Sequence, residues 1–142
     1  MSGPRVSIVM PVCNAEDTIA EAIESCLRQS MESFELVMVL DGCIDRSGEI
    51  VRSYKDPRIR VCELQHQGVA PAATAAILAS RTDFIARMDA DDISHPERLS
   101  SQYHFLSESS TFSAVSGQVH LLNPLGDGMQ RYVDWVNGLQ DA

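Results

Sequence analysis

Short apolar runs and amphipathic stretches alternate along this sequence. Val6 to Met10 is a compact apolar run that predicts a buried strand, and Pro11, which has no N–H to give, is expected to end its ladder. Asn14 is a good N-cap with Glu16 and Asp17 in the first turn, and Ile19, Ile23, Cys26 and Leu27 follow at helical spacing; together they predict a helix over 15–29. Phe34 to Leu40 is nearly all apolar, as a strand covered on both faces should be, and it stops at Asp41-Gly42-Cys43. Asp45 can cap a short helix with Ile50, Val51 and Tyr54 as its buried stripe. Arg58 to Leu64 alternates like an edge strand, and the loop from Gln65 to Gly68 leaves His66 as a solvated residue. Val69 to Ser80 is an alanine-rich helix with Pro71 in its first turn. Phe84 to Met88 reads as a central buried strand, and Ser94-His95-Pro96-Glu97 as a capping box that opens a helix reaching Glu108. Phe112 to Leu122 predicts one or two further strands with a break near Gly117. Asn123 to Gly128 then forms a loop, and Tyr132, Trp135, Val136 and Leu139 make a last helical stripe.

This alternation of strand and helix predicts an α/β fold, a mainly parallel sheet with helices on both faces, in one domain over residues 1–142. A chain of 142 residues can bury a real core, and 44% hydrophobic with 22% charged residues is an ordinary globular balance. The formal net charge of −9 lacks the basic footprint of a nucleic-acid binder, so no nucleic-acid partner is expected. Cys13, Cys26, Cys43 and Cys62 form no CxxC pair, which argues against structural zinc and for reduced thiols in a cytoplasmic protein. Cys13 and Cys43 each follow a strand, but no disulfide is expected from that. Met1 to Arg5 contains no apolar signal region, and no apolar run is long enough for a transmembrane segment.

The candidate chemistry lies where the Phe84 strand stops on Asp89, Asp91 and Asp92. Such a cluster is costly to bury without a neutralising cation, and hard divalent ions take carboxylate oxygens. If the segment stays extended, Asp89 and Asp91 point one way and Ala90 the other. In open α/β sheets the carboxyl ends of strands are where ligands bind. The competing reading is an acidic loop that caps the next helix. A calcium loop is excluded, because the sixth and twelfth positions from Asp89 are Ser94 and Ser100 rather than Gly and Glu. No GxGxxG, P-loop or Gly-x-Ser-x-Gly elbow is present.

Particular segments point further. Val6-Ser7-Ile8-Val9-Met10-Pro11-Val12-Cys13-Asn14 resembles the opening VSVIIPVYN of the family 2 glycosyltransferases. Phe34 to Gly42 resembles their FEIIVVDDGS segment, and Asp56-Pro57-Arg58-Ile59-Arg60-Val61 their DPRIRV. Phe84 to Asp92 with Ile93, Pro96, Glu97, Arg98 and Leu99 resembles YIARMDADDIS.PERL. The segments match in order and spacing across nearly the whole chain.

The resemblance implies a GT-A, Rossmann-like fold and transfer of a sugar from a nucleoside-diphosphate sugar to an acceptor hydroxyl on a glycan, lipid or protein, a family that leans toward inversion. It implies that Pro11, Cys13 and Asn14 line the nucleotide pocket and that Asp41 contacts the base. Asp89 and Asp91 match the DxD motif, with Asp89 and Ala90 at the nucleotide and Asp91, beside Asp89, at a Mn²⁺ or Mg²⁺ ion that bridges the diphosphate. The sequence departs from the family pattern at Cys13 for the usual aromatic, at Leu40 and Cys43 in the DDGS segment, and at Thr74 and Ala76 in the following helix. These changes bear on base preference and pocket shape and leave the metal motif intact.

Family members usually run longer, with the acceptor side and the catalytic base downstream. The chain is therefore expected to be a truncated domain carrying the donor half, with no residue nominated as the base. It would lie in the cytoplasm, or peripherally at the inner membrane as part of a longer protein. Its last helix would be partly exposed and available for self-association. The alternative function is a non-catalytic nucleotide-binding or scaffolding fragment. A nucleotidyltransferase is weaker, because Pro11 to Asp17 has neither glycine nor lysine.

Overall fold

The computed structural model describes residues 3–123 and 126–139. They fall into two compact units, divided between His104 and Phe105. The first unit is built on a parallel sheet of β1 (Val6–Val12), β2 (Phe34–Asp41), β3 (Ile59–Leu64) and β4 (Phe84–Arg87), in the order β3-β2-β1-β4. The helices α1 (Ile19–Leu27), α2 (Ser47–Ser53) and α3 (Val69–Ala79) connect these strands in turn, and α4 (Arg98–Glu108) follows β4.

Every residue of β1 and β2 is buried, which explains their unbroken apolar runs. Side chains alternate between the two faces. Val6, Ile8, Met10 and Val12 join Phe34, Leu36, Met38 and Leu40 under Ile19, Ala22, Ile23 and Cys26 of α1, Val51 of α2 and Leu99 of α4. Val9, Val37 and Val39 face the other way, onto Ala72 and Ala76 of α3. Alanines there let the helix lie close on the sheet. The sides follow from handedness. Right-handed crossovers place α1 and α2 on one face while the strands step from β1 to β3, and the return to β4 puts α3 on the opposite face. Trimming a core side chain such as Ile23 to alanine would cost about 2–5 kcal/mol.

Several expectations need correction. Pro11 does not end β1, because it pairs in register with Val39. The Met88 N–H bonds to the Val9 oxygen at 3.0 Å, and Pro11, two residues on, faces that same edge beyond the last β4 rung, so its missing N–H costs no ladder bond. The Phe84 strand is not central. It lies at one edge of the sheet among the described residues, with Ile85 partly exposed. β3 is an edge strand, as its alternation suggests.

The helix expected from residue 15 begins at Ile19 with Thr18 as N-cap. Asn14 has φ +48°, a left-handed conformation that asparagine tolerates, and its Oδ1 accepts the Ile44 N–H at 2.9 Å instead of capping α1. The capping box is also absent. Ser94 is buried, and its hydroxyl accepts from Gln29 Nε2 at 3.1 Å rather than from the helix behind it. Gln29 carries out the capping from a distance, its Oε1 accepting the Leu99 N–H at 3.0 Å.

In the second unit, residues 112–122 form no strand. The backbone of Val119 pairs with the Asn137 side chain, N–H to Oδ1 and Nδ2 to carbonyl, each at 2.8 Å, so no neighbouring strand supplies a ladder. The helix α5 (Asp127–Gly138) begins inside the stretch expected as loop. Within the expected 123–128 loop, residues 124 and 125 lie outside the described residues. Val133 is its buried residue, while Tyr132, Trp135 and Leu139 of the expected stripe are 56%, 61% and 60% exposed. No described helix is long and apolar enough to cross a membrane.

Candidate functional site

The strand order determines where a cleft can form. The chain adds β2 and then β3 on one side of β1 and later adds β4 on the other, so β1 and β4 flank a topological switch point. A cleft of about 340 Å³ opens at their carboxyl ends. Pro11, Val12, Cys13 and Asn14 line it from the end of β1, and Arg87, Asp89, Ala90 and Asp91 from the end of β4. Asp41 at the end of β2, the loop residue His66, and Gly68, Val69 and Ala72 at the start of α3 complete it with Ala15 and Thr18. Pro11, Cys13, Asn14, Asp41, Asp89, Ala90 and Asp91, named from sequence, are all brought together in this one cleft.

Each wall has its own reason for being where it is. The loop after β1 is tied to the loop after β2. The Ala15 N–H reaches Ser47 Oγ at 2.7 Å, the Glu16 N–H reaches Asp45 Oδ2 at 3.0 Å, and the Arg46 N–H reaches Glu16 Oε2 at 2.9 Å. Asp45 lies one residue before the α2 N-cap, Arg46, yet its Oδ1 accepts the Ser47 N–H at 2.9 Å. Residues 89–92 are not extended. The Asp92 N–H turns back to the Asp89 carbonyl at 3.3 Å, so Asp89 and Asp91 share the cleft through a turn and not through strand alternation. Thr18 Oγ1 donates to the Ala90 carbonyl at 3.0 Å and pins that turn to the entry of α1.

Asp41 and His66 form the floor near α3. The Asp41 side chain is only 2% exposed, and its oxygens accept the N–H groups of Gln67 and Gly68, each at 2.8 Å. These bonds, that of Gln67 first, hold the carboxyl below its ordinary range despite burial, with help from His66. His66 Nδ1 lies 3.1 Å from Asp41 Oδ2, 3.2 Å from the Asp41 carbonyl oxygen and 3.8 Å from Cys13 Sγ. The sequence suggested a solvated loop residue. His66 is exposed, but it also lines the cleft. Nothing local marked it, since its partners lie 25 and 53 positions away. The one indirect signal is Gly42, at φ +63°, where a Cβ would sit 2.7 Å from the Cβ of His66. Thr18 likewise carried no sequence signal. Burial first, and then the neighbouring Cys43, Asp41 and Asp45, push the Cys13 thiol up. All four cysteines are free.

The acidic wall differs in kind. Asp89 Oδ1 is 2.9 Å from Arg87 Nη2, in a pair that is about half exposed on each side. Asp91 is exposed and takes no hydrogen bond or ion pair among the described residues. Burial first, then the carboxylates of Asp89 and Asp91, push the neighbouring Asp92 carboxyl up. That crowding of negative charge is what a bound cation would relieve. The donors on offer are hard carboxylate oxygens, one of them unpartnered, and they fit Mn²⁺ or Mg²⁺.

Comparison with known proteins places this geometry in a family. The sequence profile described as glycosyl transferase family 2 matches residues 7–131. The putative glycosyltransferase EpsE of Bacillus subtilis is 34% identical over 129 residues, covering 88% of this chain and 46% of the relative. Among solved structures, S. aureus TarS 1-349 in complex with UDP superposes with a TM-score of 0.69 at 22% identity, covering 80% of this chain and 39% of that one. The mannosyltransferase PcManGT from Pyrobaculum calidifontis, in complex with GDP-Man and Mn²⁺, gives 0.68 at 22% identity, covering 75% and 33%. The chain thus spans about half the length of EpsE and less of these structures. Its parallel sheet, with helices on both faces, is the GT-A arrangement. By its matched profile and by that fold, the chain belongs to glycosyl transferase family 2.

Proposed function

We propose that the cleft binds a nucleoside-diphosphate sugar together with Mn²⁺ or Mg²⁺, and that the chain supplies the donor half of sugar transfer to an acceptor hydroxyl. One observation carries the reading. Residues from separate segments, Pro11 to Asn14, Asp41, and Asp89 to Asp91, converge on a single cleft at the switch point of the sheet. Two similar folds, solved in complex with UDP and with GDP-Man and Mn²⁺, support it.

In this reading Pro11, Cys13 and Asn14 hold the nucleotide from the β1 side. Asp89 and Ala90 face it from the β4 side, and Asp91, with Asp89, holds the metal. When bound, the cation offsets the charge that builds on the leaving diphosphate. Arg87 is the positive side chain of this wall and is placed to meet phosphate oxygens. Asp41 is given the base, but both its oxygens already accept a backbone N–H. It would therefore act through its remaining lone pairs while fixing the loop over α3. With Cys13 at the family's aromatic position, the base gains no ring stacking there. The exposed Tyr132 and Trp135 of α5 are offered as a self-association surface.

Calorimetric titration of UDP and GDP, with and without Mn²⁺, tests the donor site. Binding that requires both Mn²⁺ and Asp91 is expected. Binding that is unchanged in Asp91→Ala would remove the metal-donor reading.

A further inference from the structure

Cys13, Asp41 and His66 place a thiol, a carboxylate and an imidazole with their donor atoms within 4.8 Å of one another. We propose that this trio is a binding site for a thiophilic divalent cation, Zn²⁺ being the best match, distinct from the hard-cation site assigned above to Asp89 and Asp91. The donor set is the first reason. Sulfur, imidazole nitrogen and one carboxylate make a three-ligand zinc set that leaves a fourth position open, whereas Asp89 and Asp91 offer oxygen alone.

Spacing is the second reason. Tetrahedral Zn²⁺, with Zn–S near 2.3 Å and Zn–N near 2.05 Å, separates its sulfur and nitrogen ligands by about 3.6 Å, and its nitrogen and oxygen ligands by about 3.3 Å. Cys13 Sγ and His66 Nδ1 are 3.8 Å apart, and His66 Nδ1 and Asp41 Oδ2 are 3.1 Å apart. These two spacings are within a few tenths of an ångström of the tetrahedral values, and the Cys13 sulfur and the Asp41 carboxylate, within 4.8 Å of each other, would close by up to about an ångström through rotation of the exposed Cys13 side chain.

Preorganisation is the third. Asp41 is fixed by the Gln67 and Gly68 N–H groups, yet each of its oxygens keeps a lone pair. Gly42 lets the backbone bring His66 against the end of β2, where any side chain would collide with it. The Cys13 thiol loses its proton to solvent as the S–Zn bond forms, and neutral His66 ligates through Nδ1 as the Nε2–H tautomer, so one proton is released per ion.

The test uses Co²⁺ as a spectroscopic stand-in, followed by Zn²⁺ competition, on the chain in its reduced state and without nucleotide. A sulfur-to-cobalt charge-transfer band at one equivalent is expected, displaced by Zn²⁺. Cys13→Ser should abolish the band, and His66→Gln should weaken Zn²⁺ binding at least tenfold. Both residues are exposed, so neither change threatens the fold. Cys62→Ser and Asp91→Ala should leave band and affinity intact. No thiolate band, a band that survives Cys13→Ser, or binding lost in Asp91→Ala would overturn the site. The Asp91 control also separates this outcome from failure of the donor reading, which requires Asp91.

Discussion

Gln29 Oε1 accepts the Leu99 N–H across 70 positions of sequence, at 3.0 Å, and so caps α4 from the end of α1. The same buried amide donates through Nε2 to the His95 carbonyl at 2.7 Å and to Ser94 Oγ at 3.1 Å. Replacing Gln29 with alanine would leave the Leu99 N–H unpaired and the His95 carbonyl with the Arg98 N–H as its remaining donor, at 3.0 Å. The cost should be about 2–3 kcal/mol, read as a lower urea midpoint at unchanged slope. Ser94→Ala, which removes one of these partners, should cost less. Equal stability of wild type and Gln29→Ala would show that α4 is capped by other means.

Arg87 pairs with Asp89 at 2.9 Å, so in the proposed donor site it would compete with the cation for that carboxylate. The pair is half exposed and worth under about 1 kcal/mol, so Arg87→Ala should tighten Mn²⁺ binding in the absence of nucleotide by about two- to fivefold. In the presence of UDP or GDP the same variant should bind nucleotide more weakly, since the phosphates lose a positive neighbour. A variant that binds metal less well would show that Arg87 orders the turn rather than opposing the ion.

Buried Glu35 gives a pH signature. Burial alone would raise its carboxyl, but the Ser7 hydroxyl at 2.7 Å, the Arg81 N–H at 2.7 Å and the Arg60 guanidinium at 3.0 Å together bring it below the ordinary value. A carboxyl depressed on folding stabilises the fold above its unfolded pKa, and that contribution is lost as pH falls through the folded value. At pH 7, Glu35→Gln should therefore be less stable by about 2 kcal/mol. The gap should close as the pH drops below the ordinary glutamate range. Thermal unfolding of both proteins at neutral and acid pH reads this directly, and a gap that persists in acid would contradict it.

Gly42 is required twice over. Its φ of +63° disfavours any L side chain, and an added Cβ would lie 2.8 Å from the His66 backbone nitrogen. Gly42→Ala should cost about 2 kcal/mol or more and displace His66 from Cys13, while Gly3→Ala, with open space around it, should be silent. Denaturant unfolding of the two variants makes the comparison.

β1 and β2 were legible because they are buried on both faces. Val6 to Met10 and Phe34 to Leu40 can be apolar throughout only if helices cover the sheet above and below, and the period of such runs does not depend on distant partners. The DxD-like pair and the residues after β1 were legible for a related reason, since in a parallel sheet the carboxyl ends of strands gather at one edge whatever the loops do. The sequence by itself thus determined the α/β class, the strands β1 to β4 and nearly half of the residues that line the cleft.

Tertiary structure decided the rest, and in each case the missing information was the identity of a remote hydrogen-bond partner. Asn14 and Ser94 carry the right chemistry for helix caps, but Ile44 and Gln29 claim their side chains from 30 and 65 positions away. Residues 112–122 read as one or two strands, yet a strand exists only where a neighbour completes its ladder, and Val119 finds a single side chain, Asn137, instead. His66 has no local pattern at all. It enters the cleft because Gly42 permits the close approach and because the Asp41 carboxylate satisfies the backbone of the loop that carries it. Propensity and periodicity are properties of a segment, whereas the satisfaction of a buried polar group belongs to the folded whole.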